Sequence, residues 1–421
     1  MTSVGKNSTI YDRLGVGTIV NAKGTSTRLS GGVIDPEVAA AMAEASQHCV
    51  DMLELHSRAS ELIAEATGAE SGLVTSGAAA ALLLSTAASM TGSDVSKMER
   101  LPVARGMPNE VIVPINQRNV YNRSVQMAGA VIVEAGLSDR VAGAGVRDVE
   151  AWEIEAAITE NTAAILYLAR PHQEPPLREV VALAHKHKIP LIVDAASQLP
   201  PGDNLRRFIA EGAHLVCFSG GKILRGPQAS GILCGRRDLI ASAALQMLDH
   251  DLPFAAFNPP PQFIDKKKIV GLPRNGVGRA CKVGKEEIVG LLVALQRFVN
   301  SEDSSRLAAW NKLAEELSVE LSSVRHIALA LVPTSYKPGI PGVQISFDEQ
   351  SAGMSTAELI ERLESDEPRI YVDIRDAVNA TITLAPVSLR VGDVQLIGQK
   401  FRAILGVASS QARPASQLQQ S

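Results

Sequence analysis

The chain has 421 residues, 46% of them hydrophobic and 20% charged, with a formal net charge of −4. That length exceeds one ordinary core, so two domains are expected, and the charge balance gives no broad basic surface for nucleic acid. The N-terminus MTSVGKNSTIYDRLG has no apolar signal core, no run spans a bilayer, and the four cysteines (Cys49, Cys217, Cys234, Cys281) form no CxxC; together these predict a cytoplasmic protein with reduced thiols.

Residues 1–35 read as an extended arm rich in Gly, Thr and Ser, GVGTIVNAKGTSTRLSGG. Pro36 and Gly68 bracket helical material in PEVAAAMAEASQHCVDMLELHSRASELIAEATG. SGLVTSGAAAALLL then reads as a short strand, a turn at Ser76–Gly77 and a buried Ala/Leu-rich helix. Beyond it, strands at EVIVPI, AVIVEAG, TAAILYLA, IPLIVDAA, HLVCFSGG and ASGILCG are interleaved with helices at RSVQMAGA, VEAWEIEAAIT, PLREVVALAHKHK and LRRFIAEG. Continuous apolar strands between helices predict an α/β fold with a mostly parallel sheet covered by helices. This large domain is placed at residues 36–285. The amphipathic helix KEEIVGLLVALQRFVN bridges to a smaller α+β domain at 286–407, with a helix at AAWNKLAEELSVELSSV and strands near GVQISF and ATITLAP. The arm is expected to join that small domain and the site. Residues 408–421, polar and small, are expected to be a disordered tail.

The chemistry concentrates at two strand ends. IPLIVDAASQ delivers Asp194, and VCFSGGKILRGPQ delivers Lys222 28 residues later. A lysine amine that condenses with an aldehyde and an acid that pairs with a protonated pyridine nitrogen are what an enzyme needs to hold pyridoxal phosphate. A nucleotide-binding P-loop is the competitor, but its first glycine would fall at Val216 and Ile223 replaces the required Ser or Thr. Ser219, three residues before Lys222, can reach a phosphate, and Gly220 and Gly221 allow a close backbone approach. Thr75, Ser76, Gly77 and Ala78 lie where a turn opens into a helix, a favourable place for a dianion; the plainer role of such a turn is an N-cap. Ala196, two after Asp194, is small enough to pack under a ring, and Ser197 and Gln198 follow as polar neighbours. Arg225 to Gln228 form a rigid polar loop that suits a phosphate or an acidic substrate. PINQRNVYNRS supplies Asn116, Gln117, Arg118, Asn119 and Tyr121 after a strand, where ligand crevices lie. Arg390 is placed to clamp a carboxylate. His185 and His187 stand on a solvated helix face, so no metal site is expected.

These motifs resemble fold-type-I pyridoxal phosphate enzymes (the aspartate aminotransferase-like fold), and more narrowly the selenocysteine synthase-like group. That group includes seryl-tRNA selenium transferases and enzymes of the D-glucosaminate-6-phosphate ammonia-lyase type. The resemblance runs from about Tyr11 to Gly406 through VNAKGTSTRLSGG, the Val50–Leu82 segment, VDAASQLPP, SGGKILRGPQASGIL and CKVGKEEIVGLLVAL. It implies Lys222 as the Schiff-base lysine, Asp194 as the pyridine partner, and a phosphate pocket of Ser76, Gly77, Ala78 and Ser219. It implies a homodimer or larger symmetric assembly, with Gln228 of the GPQ element near a neighbouring subunit's site. Asn21 and Thr25 of the arm, with Arg118, Arg225 and Arg390, are expected on the substrate side. Many relatives carry a histidine where Gln117 stands, which marks an altered reaction or substrate. Without the N-terminal module expected of bacterial selenium transferases in the sequence as read, and with a net charge of −4, a small molecule and not tRNA is the expected substrate. The expected reaction is α,β-elimination, of ammonia-lyase or dehydratase type, on a small amino acid or amino-sugar acid. Racemisation or epimerisation, selenium transfer, and a silent homologue are the alternatives.

Overall fold

The computed structural model describes residues 9–137, 148–334 and 337–407; the expected tail at 408–421 lies outside them. In chain order the strands are β1 (Ile19–Asn21), β2 (Ser71–Thr75), β3 (Glu110–Pro114), β4 (Val131–Ala135), β5 (Thr162–Leu168), β6 (Leu191–Asp194), β7 (Leu215–Ser219), β8 (Gly231–Gly235), β9 (Ile327–Thr334), β10 (Lys337–Phe347), β11 (Arg369–Tyr371) and β12 (Thr381–Leu384). They divide between two compact units, residues 33–303 and a second built from 1–32 with 304–421.

The larger unit holds a seven-stranded sheet in the order β2-β8-β7-β6-β5-β3-β4. β3 to β7 run parallel, and β8 lies antiparallel between β2 and β7. The central strands are buried apart from some of their end residues, whereas β4, at the edge, is half exposed. A mostly parallel sheet needs helices on its faces, which is why its strands read as apolar runs. The helix Ala78–Thr91 is almost wholly buried, so its Ala/Leu face has no polar side.

The stretch bracketed by Pro36 and Gly68 forms two helices, Pro36–Ser46 and Met52–Thr67. Asp51 makes the break: its carboxylate accepts from the N–H groups of Leu53 (2.8 Å) and Glu54 (3.1 Å), starting a new helix. The helix Lys285–Asn300 packs on both of these and belongs to the larger unit. The sequence places the boundary before that helix; the structure places it after, because its buried face (Ile288, Leu291, Leu292, Leu295) is used here.

In the smaller unit, β12-β10-β9 form an antiparallel sheet. The arm strand β1 pairs in parallel with β11. Val20, Leu317, Val343, Ile370, Ile397 and Phe401 share one apolar core.

Candidate active site

The ladder aligns the candidate residues across the larger unit. Leu168 is the register partner of Asp194, and Asp194 of Cys217. Farther along, Ser219 pairs with Gly231, and Gly231 with Thr75. The C-terminal ends of parallel strands thus bring Asp194, the Lys222 loop and the turn after Thr75 to one edge of the sheet, where ligands of open α/β sheets bind.

Asp194 is 5% exposed and forms no ion pair within 4 Å among the described residues. Its Oδ1 accepts from the Ala196 N–H at 3.0 Å. Burial pushes its carboxyl up, opposed by that N–H and by the charges of Lys222 and Arg170. Lys222 lies in the β7–β8 loop, and its Nζ donates to the Ser197 hydroxyl at 2.5 Å. Burial lowers the ammonium pKa, and the Asp194 charge raises it. Amine and carboxyl are therefore both pushed toward neutrality by loss of water.

The Lys222 loop folds back on itself. The Gly220 N–H donates to the Ser230 carbonyl and the Gly226 N–H to the Gly220 carbonyl. A Cβ at Gly220 would meet Ser230 Oγ at 2.2 Å, and one at Gly221 would meet the Gln228 backbone at 2.6 Å. The sequence suggests these glycines admit a ligand; their tight neighbours are instead Ser230 and Gln228 of the loop and Leu291 of the helix Lys285–Asn300. Gln228 is exposed and packs on Gly221.

Neither Thr75 nor Ser76 caps the helix at Ala78. The Thr75 hydroxyl donates to the Gly77 carbonyl, and Ser76 Oγ donates to the Cys281 carbonyl at 2.9 Å. Gly77 is the N-cap residue, at φ 113°, with no side-chain cap. The first-turn N–H groups therefore have no capping side chain, and the Ser219 hydroxyl has no hydrogen-bond partner among the described residues.

Other nominated side chains are engaged elsewhere. Gln117 is 1% exposed; its amide accepts from the Leu168 N–H at 2.8 Å and donates to the Glu174 carbonyl at 3.2 Å. It ties the segment after β3 to the end of β5, a structural use that a search for ring contacts does not suggest. Arg118 binds Glu134 (2.8 Å) and Asn122 (2.9 Å), and Arg225 binds the Val33 carbonyl and Asp35. In the smaller unit, Arg390 pairs with Asp393 at 3.6 Å. There too, all four hydrogen-bonding positions of the Asn21 amide are taken by Lys23, Gly24 and Gly31, while Thr25 is half-buried. Among the described residues no group of three or more His, Cys, Asp or Glu is placed to hold a metal.

A cavity of about 720 Å³ opens nearby, lined in part by Asp51, His56, His250, Arg279 and Lys282. It adjoins the turn at Ser76 through the Cys281 segment; neither Lys222 nor Asp194 lines it. The sequence reading passed over His56 because it stands in an ordinary amphipathic helix. Its Nδ1 is buried without a partner, and burial lowers its pKa to about 4. The unfolded imidazole takes up a proton near 6.5 and the folded one near 4, so the unfolded state binds more protons in that window. Stability therefore falls as pH drops below about 6.5, by about 2 kcal/mol between pH 7 and 5 for this one group. His214, also held at about 4 by burial, adds a slope of its own. In urea titrations at the two pH values, His56→Leu is expected to lose part of the acid sensitivity and keep the rest.

The L-seryl-tRNA selenium transferase family matches residues 19–253. The chain belongs to that family. A 5'-C-glycyluridine monooxygenase-decarboxylase of Streptomyces sp is 30% identical over 87% of this chain and 85% of its own. The D-glucosaminate-6-phosphate ammonia lyase of Salmonella typhimurium is 28% identical over 94% of this chain and 97% of its own. A solved structure of D-glucosaminate-6-phosphate ammonia-lyase superposes with a TM-score of 0.77 at 27% identity, covering 94% of this chain and 98% of that one. This member of the family is thus an enzyme with the fold-type-I architecture, a mostly parallel sheet in one unit and a small antiparallel sheet in the other. No helix among the described residues is long and apolar enough to cross a membrane.

Proposed function

We propose that this protein is a pyridoxal phosphate-dependent lyase that eliminates ammonia from a small amino acid or amino-sugar acid. The observation that carries the reading is the pairing of a half-buried Lys222 amine, hydrogen-bonded to Ser197, with the buried Asp194 carboxyl nearby. The residues fit the cofactor. Asp194, without an ion pair in hydrogen-bond reach among the described residues, suits a protonated pyridine nitrogen. The uncapped helix N-terminus at Gly77–Ala78, with the unpartnered Ser219 hydroxyl, suits its phosphate.

When bound, the cofactor supplies an aldehyde that captures amines and a ring that takes up the electrons left when a bond to Cα breaks. Lys222 is the residue that would hold the aldehyde end of the cofactor. Its Nζ, with its pKa lowered by burial and held by Ser197 Oγ, would accept the Cα proton; general base help of this kind is worth about 10²–10⁴-fold. Asp194 would hold a proton on the ring nitrogen. The net reaction expels a β-hydroxyl as water, returns water in hydrolysis, and yields a keto acid and ammonia. Purified protein is expected to show a visible chromophore reducible by borohydride, and to release ammonia from one member of a panel of D- and L-amino acids and amino-sugar acids. Absence of the chromophore after reconstitution with the cofactor defeats the reading.

A second reading has support from the Streptomyces relative: decarboxylation that consumes oxygen. Oxygen uptake with release of carbon dioxide and no ammonia would favour it. The reading also includes a homodimer, which light scattering of the holoenzyme checks.

One backbone contact gives a sharp prediction. A Cβ on Gly231 would sit 2.6 Å from the Gly77 carbonyl carbon and 2.7 Å from the Ala78 nitrogen. Gly231→Ala must displace the turn that receives the phosphate. Its affinity for the cofactor is expected to fall about tenfold or more, the scale of one lost charge-assisted hydrogen bond, as read by fluorescence titration of apoprotein.

A further inference from the structure

Arg118, Arg225 and Arg390 all have protein partners; among the described residues Arg170 has none. Strand β5 ends at Leu168, opposite Asp194, and the Ala169 N–H donates to the Asp194 carbonyl at 3.0 Å. Arg170 is the next residue, so it leaves the sheet directly beside the strand end that carries the acid. It is exposed, and its guanidinium forms no hydrogen bond or ion pair with any described residue. Its charge acts on the Asp194 carboxyl, as its place beside that strand end implies. Pro171 follows, with φ fixed by its ring, which stiffens the exit of the chain.

We propose that Arg170 anchors an oxyanion at the end of the site marked by Asp194. This rests on the pyridoxal phosphate reading. Two oxygens of that chemistry can arrive there: the carboxylate of an amino acid substrate, or the phenolate oxygen on the pyridoxal ring. A guanidinium serves either, because its five donors lie in one plane and its charge persists at every working pH. Its position also favours the ionised form of Asp194, so the same side chain steadies both the substrate side and the ring side of the site.

The test uses reconstituted wild-type, Arg170→Ala and Arg170→Lys holoenzymes, with absorbance as the readout. In the first arm the visible band is titrated with pH. A midpoint moved by about one unit or more in Arg170→Ala, and less in Arg170→Lys, assigns the phenolate. In the second arm the band is titrated with D-serine, L-serine and serinol, which keeps the amine and lacks the carboxylate. Loss of about ten- to hundredfold in serine affinity in Arg170→Ala, with serinol unchanged, assigns the carboxylate. An Arg170→Ala holoenzyme that keeps both the wild-type midpoint and the wild-type serine-to-serinol ratio overturns the proposal, whatever its turnover. A wild-type protein with no visible band sinks the cofactor reading instead, so the two failures are told apart.

Discussion

Lys222→Ala is expected to abolish the visible chromophore and to lower turnover by about 10²–10⁴-fold or more. Two losses combine: the covalent hold on the aldehyde and the base for the Cα proton. The fold should survive, because the Lys222 loop is closed by its own backbone, Gly220 to Ser230 and Gly226 to Gly220, and not by the lysine side chain. Circular dichroism and the unfolding midpoint should therefore match wild type. Added methylamine, a free substitute for the missing amine, should return part of the rate. After borohydride treatment of wild type, peptide mapping should find the adduct on Lys222. Wild-type rates in the alanine variant, or an adduct on another lysine, would refute the assignment.

Asp194→Asn should cost nearly as much by a different route. The amide oxygen can still accept from the Ala196 N–H, so the strand end keeps its shape. It carries no charge to hold a proton on the pyridine nitrogen. Removing one preorganised electrostatic partner costs about 10²–10³-fold in kcat. Binding of substrate depends less on that proton, so KM should move little. The apoprotein offers an opposite sign. Burial raises the cost of the Asp194 charge, so the neutral amide should unfold at no lower urea concentration than wild type. A variant whose kcat is unchanged, or one that loses activity only through unfolding, would remove Asp194 from the chemistry.

The large unit was legible in the sequence because its strands carry unmistakable apolar runs. TAAILYLA and IPLIVDAA became β5 and β6, and the polar residues at their ends lie at the ligand-binding edge of the sheet. The break between the two helices near Asp51 was hidden, since the apolar pattern carries across it and only the capping carboxylate interrupts it. β9 was not found: IALALVPT is an edge strand whose apolar side chains alternate between half-buried and exposed, so nothing in its composition marks an outer face. β11 has three residues and gains its identity only from pairing with the distant arm. Within the candidate site, Lys222 and Asp194 stand out by residue type at two strand ends, and the sheet brings those ends to one edge. The fates of Gln117, Arg118 and Arg225 were not legible, because each is decided by partners many residues away: Leu168, Glu134 and Val33. Arg170 escaped notice for the converse reason. What distinguishes it is the lack of a partner among the described residues, which sequence cannot display.

The parallel pairing of β1 with β11 has a consequence for biosynthesis. Ile19 finds its register partner only at Arg369. At about 5–20 residues per second, a ribosome needs roughly 20–70 s to make the intervening chain. Through that interval the arm trails from a large unit free to fold, its ladder groups open to water or to a chaperone. The small unit therefore closes last, and a stalled message would leave that strand as an adhesive end.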